Sequence, residues 1–494
     1  MTEQTPATSE KQPADSGTER ARTPHSAEFL KYMGEGWAGA LGHEVIDTPG
    51  GSPAPNQSAS AEAAPAEVAA YAAARRARLA EMFPGASLVI HAGSPKTRSN
   101  DTEYRFRAHS AFSHLTGWGS ATVPESILVI QCTPGGKIAA EALYLRPTAG
   151  RGTDEFFANP AIGEFWVGTR PGLDQVAGLL AIATQDLATF NLPAGALQVG
   201  STDDDSTLAE AVSELRLVKD SYEIAEMRKA VSASIEGFEN IVRNLPHATG
   251  HNRGERLIET AFYAKARELG NDLGYDTIAA AGDHANTLHW IINNGTVAEG
   301  QLILVDAGVE VDSLYTADVT RTLPVNGFYS PVQREIYEAV REAADAAFAI
   351  AKPGIKFRDI HAEAMKVVAR RCFEWGILPA GTTAEDSLLP DNQWHRRWMV
   401  HGTSHHLGLD VHDCAQARRE MYLDGELKPG MVFTIEPGLY FHADDLMAPA
   451  AFRGIGVRIE DDVLVTETGV ENLTDALPRT ATAVENWMAH LLGR

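Results

Sequence analysis

The sequence predicts a two-domain protein in which an α/β domain precedes an α+β domain. Between residues 87 and 215, short apolar runs such as 126–130 and 142–145 alternate with helix-like stretches, as expected of an α/β domain. After residue 220, longer helix-like segments separate strand-like runs, several of which lead into an acidic residue. The 494 residues are 44% hydrophobic, which is enough for two substantial cores.

The first part of the chain is divided by its composition. Residues 1–25 are dominated by Thr, Ser, Glu, Pro and Ala, and we expect a disordered tail because they cannot bury enough apolar area. A helix is predicted to begin near Ser26, and the Gly- and Pro-rich stretch 50–55 predicts a flexible break. A second helix is predicted at about 61–83. We assign residues 26–215 to the α/β domain.

The second domain is predicted to span residues 216–494. Asp220 and Glu223 have the spacing of a helix-start capping signal, and Ser330 precedes a first-turn proline. The stretch 379–398 is predicted to be loop-like, with Trp394 and Trp398 favoured to pack rather than to line a pocket. Helices are predicted at 222–242, 255–269, 331–351 and 358–375.

Two aspartates flank a predicted turn in this domain. Asp306 ends the apolar run 302–306, and Asp318 lies in the run 317–322. If the turn is centred on Asp312, the two carboxylates face each other across a hairpin. Directly opposed side chains lie within roughly 5.5 Å at Cβ, where like charges are destabilising. A bound cation would reverse that penalty.

Two glutamates repeat the pattern. Glu436 ends the run 431–435 and Glu460 follows 456–459, and both runs have the composition and boundaries of strands. Arg458 and Glu460 are two residues apart and share one face of a strand. Four converging carboxylates would repel by about 4 kcal/mol per close pair at an effective dielectric of about 20, or would take up protons. Two divalent cations would balance them instead.

A histidine-rich segment supplies a fifth candidate ligand. Residues 401–412 hold four of the 17 histidines, and Gly402 and Gly408 argue against one regular helix. One imidazole with oxygen ligands suits manganese, with zinc or cobalt also possible. Paired metals about 3.5–4 Å apart clamp an attacking hydroxide and a developing oxyanion. The alternatives are solvated surface acids and a solvated or metal-scavenging histidine loop.

These residues form a recognisable set of motifs. Together with the stretch 107–117, in which Ala111 replaces a residue that is often more polar, they resemble aminopeptidase P, the Xaa-Pro aminopeptidase family of "pita-bread" metallopeptidases. The resemblance implies an α+β catalytic domain with pseudo-two-fold symmetry behind a creatinase/prolidase-like N-terminal domain. The motifs are Val-Asp-Ala-Gly at 305–308, Ala-Asp-Val-Thr-Arg-Thr at 317–322, His-Gly-Thr-Ser-His at 401–405, Gly-Leu-Asp-Val-His-Asp at 408–413, Glu-Pro-Gly-Leu-Tyr at 436–440 and Arg-Ile-Glu-Asp at 458–461.

The resemblance implies a particular distribution of metal ligands. One cation would be bound by Asp318, His405, Glu436 and Glu460. Asp306 would bind the second cation through both oxygens, with Asp318 and Glu460 bridging the pair. Glu436 would also shuttle the proton of the attacking water, a role that depends on its geometry.

Three further histidines match family positions and are expected not to bind metal. His289 would line the pocket near the scissile bond, His401 would contact the proline side of the substrate, and His412 would donate to the carbonyl oxygen as it becomes tetrahedral. Such a donor lowers the barrier by about 2.7–4 kcal/mol. Without the resemblance, His289 could equally be a core histidine bonded to a backbone carbonyl.

Residues beside the ligands are expected to fix their orientation and charge. Tyr275, Tyr440 and Arg458 take these positions by resemblance, with Tyr275 also among the expected substrate-binding residues and Arg458 among the catalytic ones. Ordinary core packing is the alternative for each tyrosine. Arg418 and Arg419 could include a substrate-recognition arginine, and the sequence does not choose between them.

The resemblance implies a hydrolase that releases the N-terminal residue from peptides with proline in second position. The alternative is prolidase, which acts on Xaa-Pro dipeptides. The same fold also hosts metal-free members, which act as binding modules or hydrolyse small guanidino compounds and generally lack parts of the ligand set. Methionine aminopeptidase shares the fold too, but it normally lacks so large an N-terminal domain. The expected partners are proline-containing peptides and further copies of the chain, as dimers or tetramers.

Composition excludes other classes of protein. The formal charge of −24 and the isoelectric point near 5.1 argue against nucleic-acid binding. No apolar run approaches the roughly 18–20 residues that span a bilayer, and the first residues do not resemble a secretory signal. Three unpaired cysteines fit a reducing cytoplasm. Among them, Cys414 is expected to be buried filler rather than a nucleophile.

Overall fold

The structure is a computed structural model that describes residues 26–35, 64–100, 102–147, 149–150 and 153–494. The tail predicted at 1–25 and the break predicted at 50–55 lie outside the described residues. The helix predicted near Ser26 is present and Ser26 caps it, since its hydroxyl accepts from the Phe29 amide at 3.1 Å. The helix predicted at 61–83 is described from Val68 to Met82.

The N-terminal domain is built on a five-stranded mixed sheet in the order β6-β5-β4-β1-β7. Strand β1 is antiparallel to β4 and parallel to β7, while β5 is antiparallel to β4 and parallel to β6. The helices are α1 (Ala27–Gly34), α2 (Val68–Met82), α3 (Ser110–Thr116), α4 (Glu155–Ala158), α5 (Glu164–Val167), α6 (Leu173–Leu180) and α7 (Ser206–Leu215). The strands are β1 (Ser87–His91), β2 (Thr97–Ser99), β3 (Thr102–Glu103), β4 (Ile127–Cys132), β5 (Ile138–Leu145), β6 (Thr184–Asp186) and β7 (Leu197–Val199).

Alternation along the central strands distributes their side chains over both faces of this sheet. Leu88 and Ile90 pack into the main N-terminal core with Leu79 of α2. Val89 points the other way and joins a smaller cluster with Val129. Apolar residues therefore cover both faces of the sheet, which explains the nearly continuous apolar run in β1.

The C-terminal domain repeats one unit, a helix pair followed by a β-hairpin. Helices α8 and α9 precede the first hairpin, β10/β12, and α10 and α11 precede the second, formed by β13/β16 and β14/β15. The helices are α8 (Ser221–Ala248), α9 (Gly254–Leu269), α10 (Pro331–Ile350), α11 (Phe357–Glu374), α12 (Ala384–Leu388) and α13 (Ala481–Leu491). The strands are β8 (Asp272–Leu273), β9 (Ile278–Ala281), β10 (Leu302–Ala307), β11 (Val309–Glu310), β12 (Val319–Pro324), β13 (Val432–Ile435), β14 (Gly438–Phe441), β15 (Ile455–Arg458), β16 (Asp461–Val465) and β17 (Val470–Asn472).

The capping signals place two of these helices as predicted. Asp220 and Glu223 form a reciprocal capping box at the start of α8, and Ser330 caps α10 ahead of its first-turn proline. Helix α8 extends beyond the predicted end at 242 and contains Pro246 in its last turn. Each helix pair packs on its hairpin in one apolar core, which includes Phe238, Ile303, Val340 and Phe433.

The loop predicted at 379–398 is partly wrong. It contains the short helix α12, capped by Thr383, and a 3₁₀ turn over Trp394–Arg397. Trp398 is 1% exposed, and its ring centroid lies 6.2 Å from that of Phe441. The packing role predicted for Trp398 is therefore confirmed.

Separate apolar cores lie on either side of residue 216, and the boundary near 215 remains our prediction. Several ion pairs join the two sides. Arg107 reaches Glu310 at 2.6 Å, and Arg418 reaches Glu214 at 2.6 Å. Ala111 is buried within α3. Within the described residues, no helix combines the length and apolar character needed to cross a membrane.

Candidate metal centre

The first hairpin presents Asp306 and Asp318 on one face, but not directly opposed. Asp306 is paired with Thr320 and Ala307 with Val319, so the predicted register is wrong by two residues. The reason lies in the turn, which closes through a hydrogen bond from the Leu314 amide to the Val311 carbonyl. Asp318 precedes Thr320 by two residues and is therefore a diagonal neighbour of Asp306 on the same face.

A single hydroxyl joins the two aspartates. The Tyr275 hydroxyl lies 2.7 Å from Asp306 Oδ1 and 2.5 Å from Asp318 Oδ1. A phenol has one proton and satisfies one carboxylate at a time. Arg458 Nη2 donates to Asp306 Oδ2 at 2.6 Å. Arg458 therefore neutralises Asp306, and in the described residues it forms no ion pair with Asp318.

The second hairpin brings Glu436 and Glu460 together at a break in its pairing. Ile435 pairs with Asp461 and Gly438 with Arg458, so the shared register places the two glutamates opposite each other. Their backbone amides bond to neighbouring segments instead, at Thr403 O and Thr320 O. Glu460 therefore lies in the gap between β15 and β16 rather than on a strand.

Threonine hydroxyls orient these glutamates. Thr320 Oγ1 donates to Glu460 at 2.7 Å, and Thr434 Oγ1 contacts Glu436 at 3.3 Å. Neither threonine was predicted from the sequence, although each stands on a strand bordered by a candidate ligand, two residues from that ligand. Asp462, whose buried carboxylate accepts from the Asp318 amide, was not predicted either.

His405 connects the two hairpins. Its Nε2 lies 3.2 Å from Asp318 Oδ2 and 3.4 Å from Glu436 Oε1. Its Nδ1 donates to the His406 carbonyl at 3.2 Å, which leaves Nε2 as the metal-binding nitrogen of the neutral ring. Asp318, His405 and Glu460 offer ligand atoms that all lie within 4.8 Å of one another.

The protein's own charges do not balance this cluster. Burial, which outweighs the nearby His405, raises the pKa of Glu436 to about 7. Burial and the neighbouring carboxylates raise the pKa of Glu460 well above its usual value, and burial also raises that of Asp318. Burial lowers the pKa of His405, but Asp318 and Glu436 outweigh it and raise that pKa to about 9. A hard cation fits such a set of oxygen donors and one imidazole.

The five candidate ligands line one cavity of about 710 Å³, together with Tyr275, His289, His401, His412 and Arg458. His289 is exposed to this cavity, so the alternative of a core histidine is excluded. Tyr440 does not line the cavity, but its hydroxyl contacts His401 and Arg458, which do. The cavity wall also includes residues that were not predicted from the sequence, namely Asp276, Ile278, Leu288, Ile291, Gly402, Ser404, Val411 and Tyr422.

A hydrogen-bond chain orients His401. Its Nδ1 donates to the Gly402 carbonyl at 2.6 Å, so Nε2 accepts from the Tyr440 hydroxyl at 2.7 Å. Arg458 Nη1 donates to the same tyrosine oxygen at 3.0 Å. Burial and the adjacent Arg458 lower the pKa of His401 to about 3, and the ring is therefore neutral.

Three other residues considered from the sequence do not reach the cavity. Arg418 pairs with Glu214 and Arg419 with Asp424. Cys414 is buried, and burial beside Asp413 raises the pKa of its thiol. It therefore lacks the depressed pKa of a nucleophilic thiolate.

The fold and the carboxylate-rich cavity define a metallopeptidase. The family model described as Metallopeptidase family M24 matches residues 225–467, and the model described as Aminopeptidase P, N-terminal domain matches residues 72–191. Xaa-Pro aminopeptidase 1 of Streptomyces coelicolor is 44% identical over 489 residues, covering 95% of this chain and 93% of the relative. The Xaa-Pro aminopeptidase of Escherichia coli is 31% identical, covering 84% of this chain and 96% of the relative.

Solved structures agree with these relatives. Proline aminopeptidase P II from Yersinia pestis has a TM-score of 0.73 at 29% identity, covering 85% of this chain and 99% of its own. Zinc-substituted E. coli aminopeptidase P in complex with product has a TM-score of 0.73 at 28% identity, covering 86% and 98%. This chain belongs to the Xaa-Pro aminopeptidases of metallopeptidase family M24. The predicted pita-bread fold class is therefore confirmed.

Proposed function

We propose that the chain is a two-metal hydrolase that releases the N-terminal residue from peptides with proline in second position. One observation carries this proposal: all five candidate ligands and the three further histidines, His289, His401 and His412, line the same cavity. The relatives named Xaa-Pro aminopeptidase cover nearly the whole chain. These matches do not favour the prolidase alternative.

The donor set supports two divalent cations. Asp318, His405, Glu436 and Glu460 would hold one cation, and Asp306 would hold the other with Asp318 and Glu460 shared. Four carboxylates and one imidazole suit manganese, with zinc or cobalt as alternatives. When bound, the cations would activate a water molecule and polarise the carbonyl oxygen of the scissile bond.

Glu436 is the proton carrier in this mechanism. Its carboxyl group lines the cavity and lies 3.4 Å from His405 Nε2, where it would face the attacking water. It would take a proton from the attacking water. It would then give this proton to the proline nitrogen as the peptide bond breaks.

The histidines surround the reacting peptide bond. His412 would donate to the carbonyl oxygen as its negative charge develops, and His289 would line the pocket near that bond. His401 would contact the proline side, held in place by Tyr440 and Arg458. Burial lowers the pKa of His412, so a neutral ring would donate one N–H.

Peptide length separates the two candidate activities. We expect hydrolysis of an Xaa-Pro-Xaa tripeptide after chelation and re-addition of manganese, zinc or cobalt, as the similarity to Xaa-Pro aminopeptidases implies. Release of the first residue would be followed by chromatography. Turnover confined to the Xaa-Pro dipeptide would instead establish prolidase activity.

We further propose that the chain forms dimers or tetramers and works in the cytoplasm. Family resemblance supports the first point and the scattered cysteines support the second. All three cysteines are free and buried in the structure. Light scattering of the purified protein tests the oligomeric state, and a monomer at working concentration would contradict it.

A further inference from the structure

We propose that Asp413, held by Arg216 and Lys219, positions the His412 imidazole for catalysis. Asp413 would be a positioning residue that acts through its neighbour in sequence, not a group that touches the substrate. The inference rests on the proposed function, because it concerns the histidine assigned to the carbonyl oxygen.

The His412 ring depends on its backbone for its position. It lines the cavity and lies edge-on to His405, with ring centroids 4.4 Å apart. Within the described residues, no side chain forms a hydrogen bond with the His412 ring. Segment 408–414, which we call the His412 loop, must therefore set where this imidazole points.

Asp413 anchors that loop from behind. Its side chain is 1% exposed, and its Oδ1 accepts from Arg216 Nε at 2.9 Å and from the Cys414 amide at 2.9 Å. Lys219 Nζ lies 3.3 Å from Oδ2. Two cations from the segment between the domains thus fix one carboxylate next to the histidine.

The loop backbone is shaped around this carboxylate. A Cβ atom added at Gly408 would lie 2.3 Å from Asp413 Oδ2, so only glycine leaves the carboxylate its space. The Asp413 amide also donates to the His406 carbonyl at 2.9 Å. A shift of the carboxylate would therefore move the backbone on both sides of His412.

The N-terminal domain holds the same loop at two further points. Arg107 Nη2 donates to the Leu409 carbonyl, and Ser110 Oγ donates to Asp410 Oδ1, both at 2.5 Å. Burying the charges around Asp413 is costly, and buried ion pairs are weak evidence for stability alone. A role in fixing the loop conformation explains why charged groups are placed there.

Steady-state kinetics of Asp413→Asn tests the proposal, with the manganese-loaded protein and a proline-containing tripeptide. We expect kcat to fall by about 10²-fold, the effect of a displacement near 1 Å, with KM changed by less than about twofold because ground-state binding is retained. Bound manganese should be unchanged. Arg216→Lys, which keeps the charge but loses the Nε contact, should lower kcat by about tenfold.

A His412→Ala background separates positioning from general structural support. If Asp413 acts through His412, Asp413→Asn should cause no further loss of kcat when His412 is absent. Glu214→Gln is the matched control, since it removes an ion pair across the same domain boundary, with Arg418, without touching the His412 loop. Its kcat should equal that of the wild type.

Several outcomes would overturn the proposal. Wild-type kcat in Asp413→Asn, or the same loss in both backgrounds, would show that Asp413 does not act through His412. If Asp413→Asn fails to fold, Arg216→Lys in both backgrounds carries the test. Wild-type kcat in His412→Ala would refute the role of His412 as well, whereas a wild-type protein inactive on every peptide would refute the proposed function itself.

Discussion

The two acid-bearing hairpins differ in how their carboxylates are balanced. In the first hairpin, both aspartates contact the Tyr275 hydroxyl, and Arg458 pairs with Asp306. In the second, the hydrogen bonds that Glu436 and Glu460 accept come from threonine hydroxyls within the described part of the chain. An aspartate of the first hairpin therefore pairs with a permanent cation, which Arg458 on β15 supplies, whereas neither glutamate forms an ion pair with an arginine or lysine in the described residues.

This difference shows where an added cation is needed most. Burial raises the pKa of Glu436 to about 7 and that of Glu460 well above its usual value. A permanent positive charge next to these groups would favour their ionised forms. We infer that the second hairpin depends on bound metal to keep its glutamates ionised.

The largest expected effect follows from removing the group that joins the two hairpins. His405→Ala should lower kcat/KM by about 10³-fold or more, because it deletes a ligand of a metal whose Lewis acidity contributes several kcal/mol. Asp318→Ala should behave alike. Activity assays, elemental analysis and circular dichroism measure the loss, the bound metal and the retained fold.

His490→Ala on α13 is the matched histidine control, since this residue does not line the cavity. Its activity and metal content should equal those of the wild type. Normal metal content with wild-type turnover in both His405→Ala and Asp318→Ala would contradict the assigned ligands.

A smaller effect distinguishes the hairpins directly. Tyr275→Phe removes the donor shared by two aspartates and should weaken manganese affinity by about 10–100-fold, as loss of a partner behind a ligand does. Thr320→Val removes one donor to Glu460 and should fall at the lower end, about tenfold. Metal titration measures both affinities. If Thr320→Val weakened manganese affinity as much as Tyr275→Phe or more, the difference between the hairpins would be contradicted.

The smallest expected effect is a pH dependence of thermal stability. Without metal, the folded-state pKa of Glu436 is raised from 4.5 to about 7 and that of His405 from 6.5 to about 9. The folded state then binds more protons, so stability falls as pH rises from about 4.5 to 9. Bound metal requires deprotonated ligands and reverses this trend.

Calorimetry with and without manganese measures this effect. The Tm increase caused by saturating manganese should be larger near pH 8 than near pH 5.5. His405→Ala should reduce the difference between the two pH values. A manganese-induced Tm increase independent of pH would show that protons and metal do not compete for these side chains.

The sequence predicts the ligand-bearing strands well because their signals are local. The apolar runs that lead into Asp306 and Glu436, and the capping residues at Asp220 and Ser330, correspond to the observed elements. The predicted register of the first hairpin is wrong because Leu314 adopts a left-handed φ of 70° within the turn. Turn geometry fixes register, and no glycine or asparagine marked that position.

The residues that hold the site residues in place could not be predicted from the sequence, because they lie far from those residues along the chain. Asp462 contacts the Asp318 amide, and Arg216 contacts Asp413 across 197 positions. Such pairs depend on how the two halves and the two domains pack. Composition and spacing identify the candidate ligands but carry no signal for these supports.

Anomalous scattering from crystals soaked in manganese tests the central claim most directly, namely that cations rather than protons balance the four carboxylates. We expect two peaks about 3.5–4 Å apart, one near Asp318, His405, Glu436 and Glu460, and the other near Asp306. Absence of anomalous peaks in this cavity at saturating manganese would contradict the account.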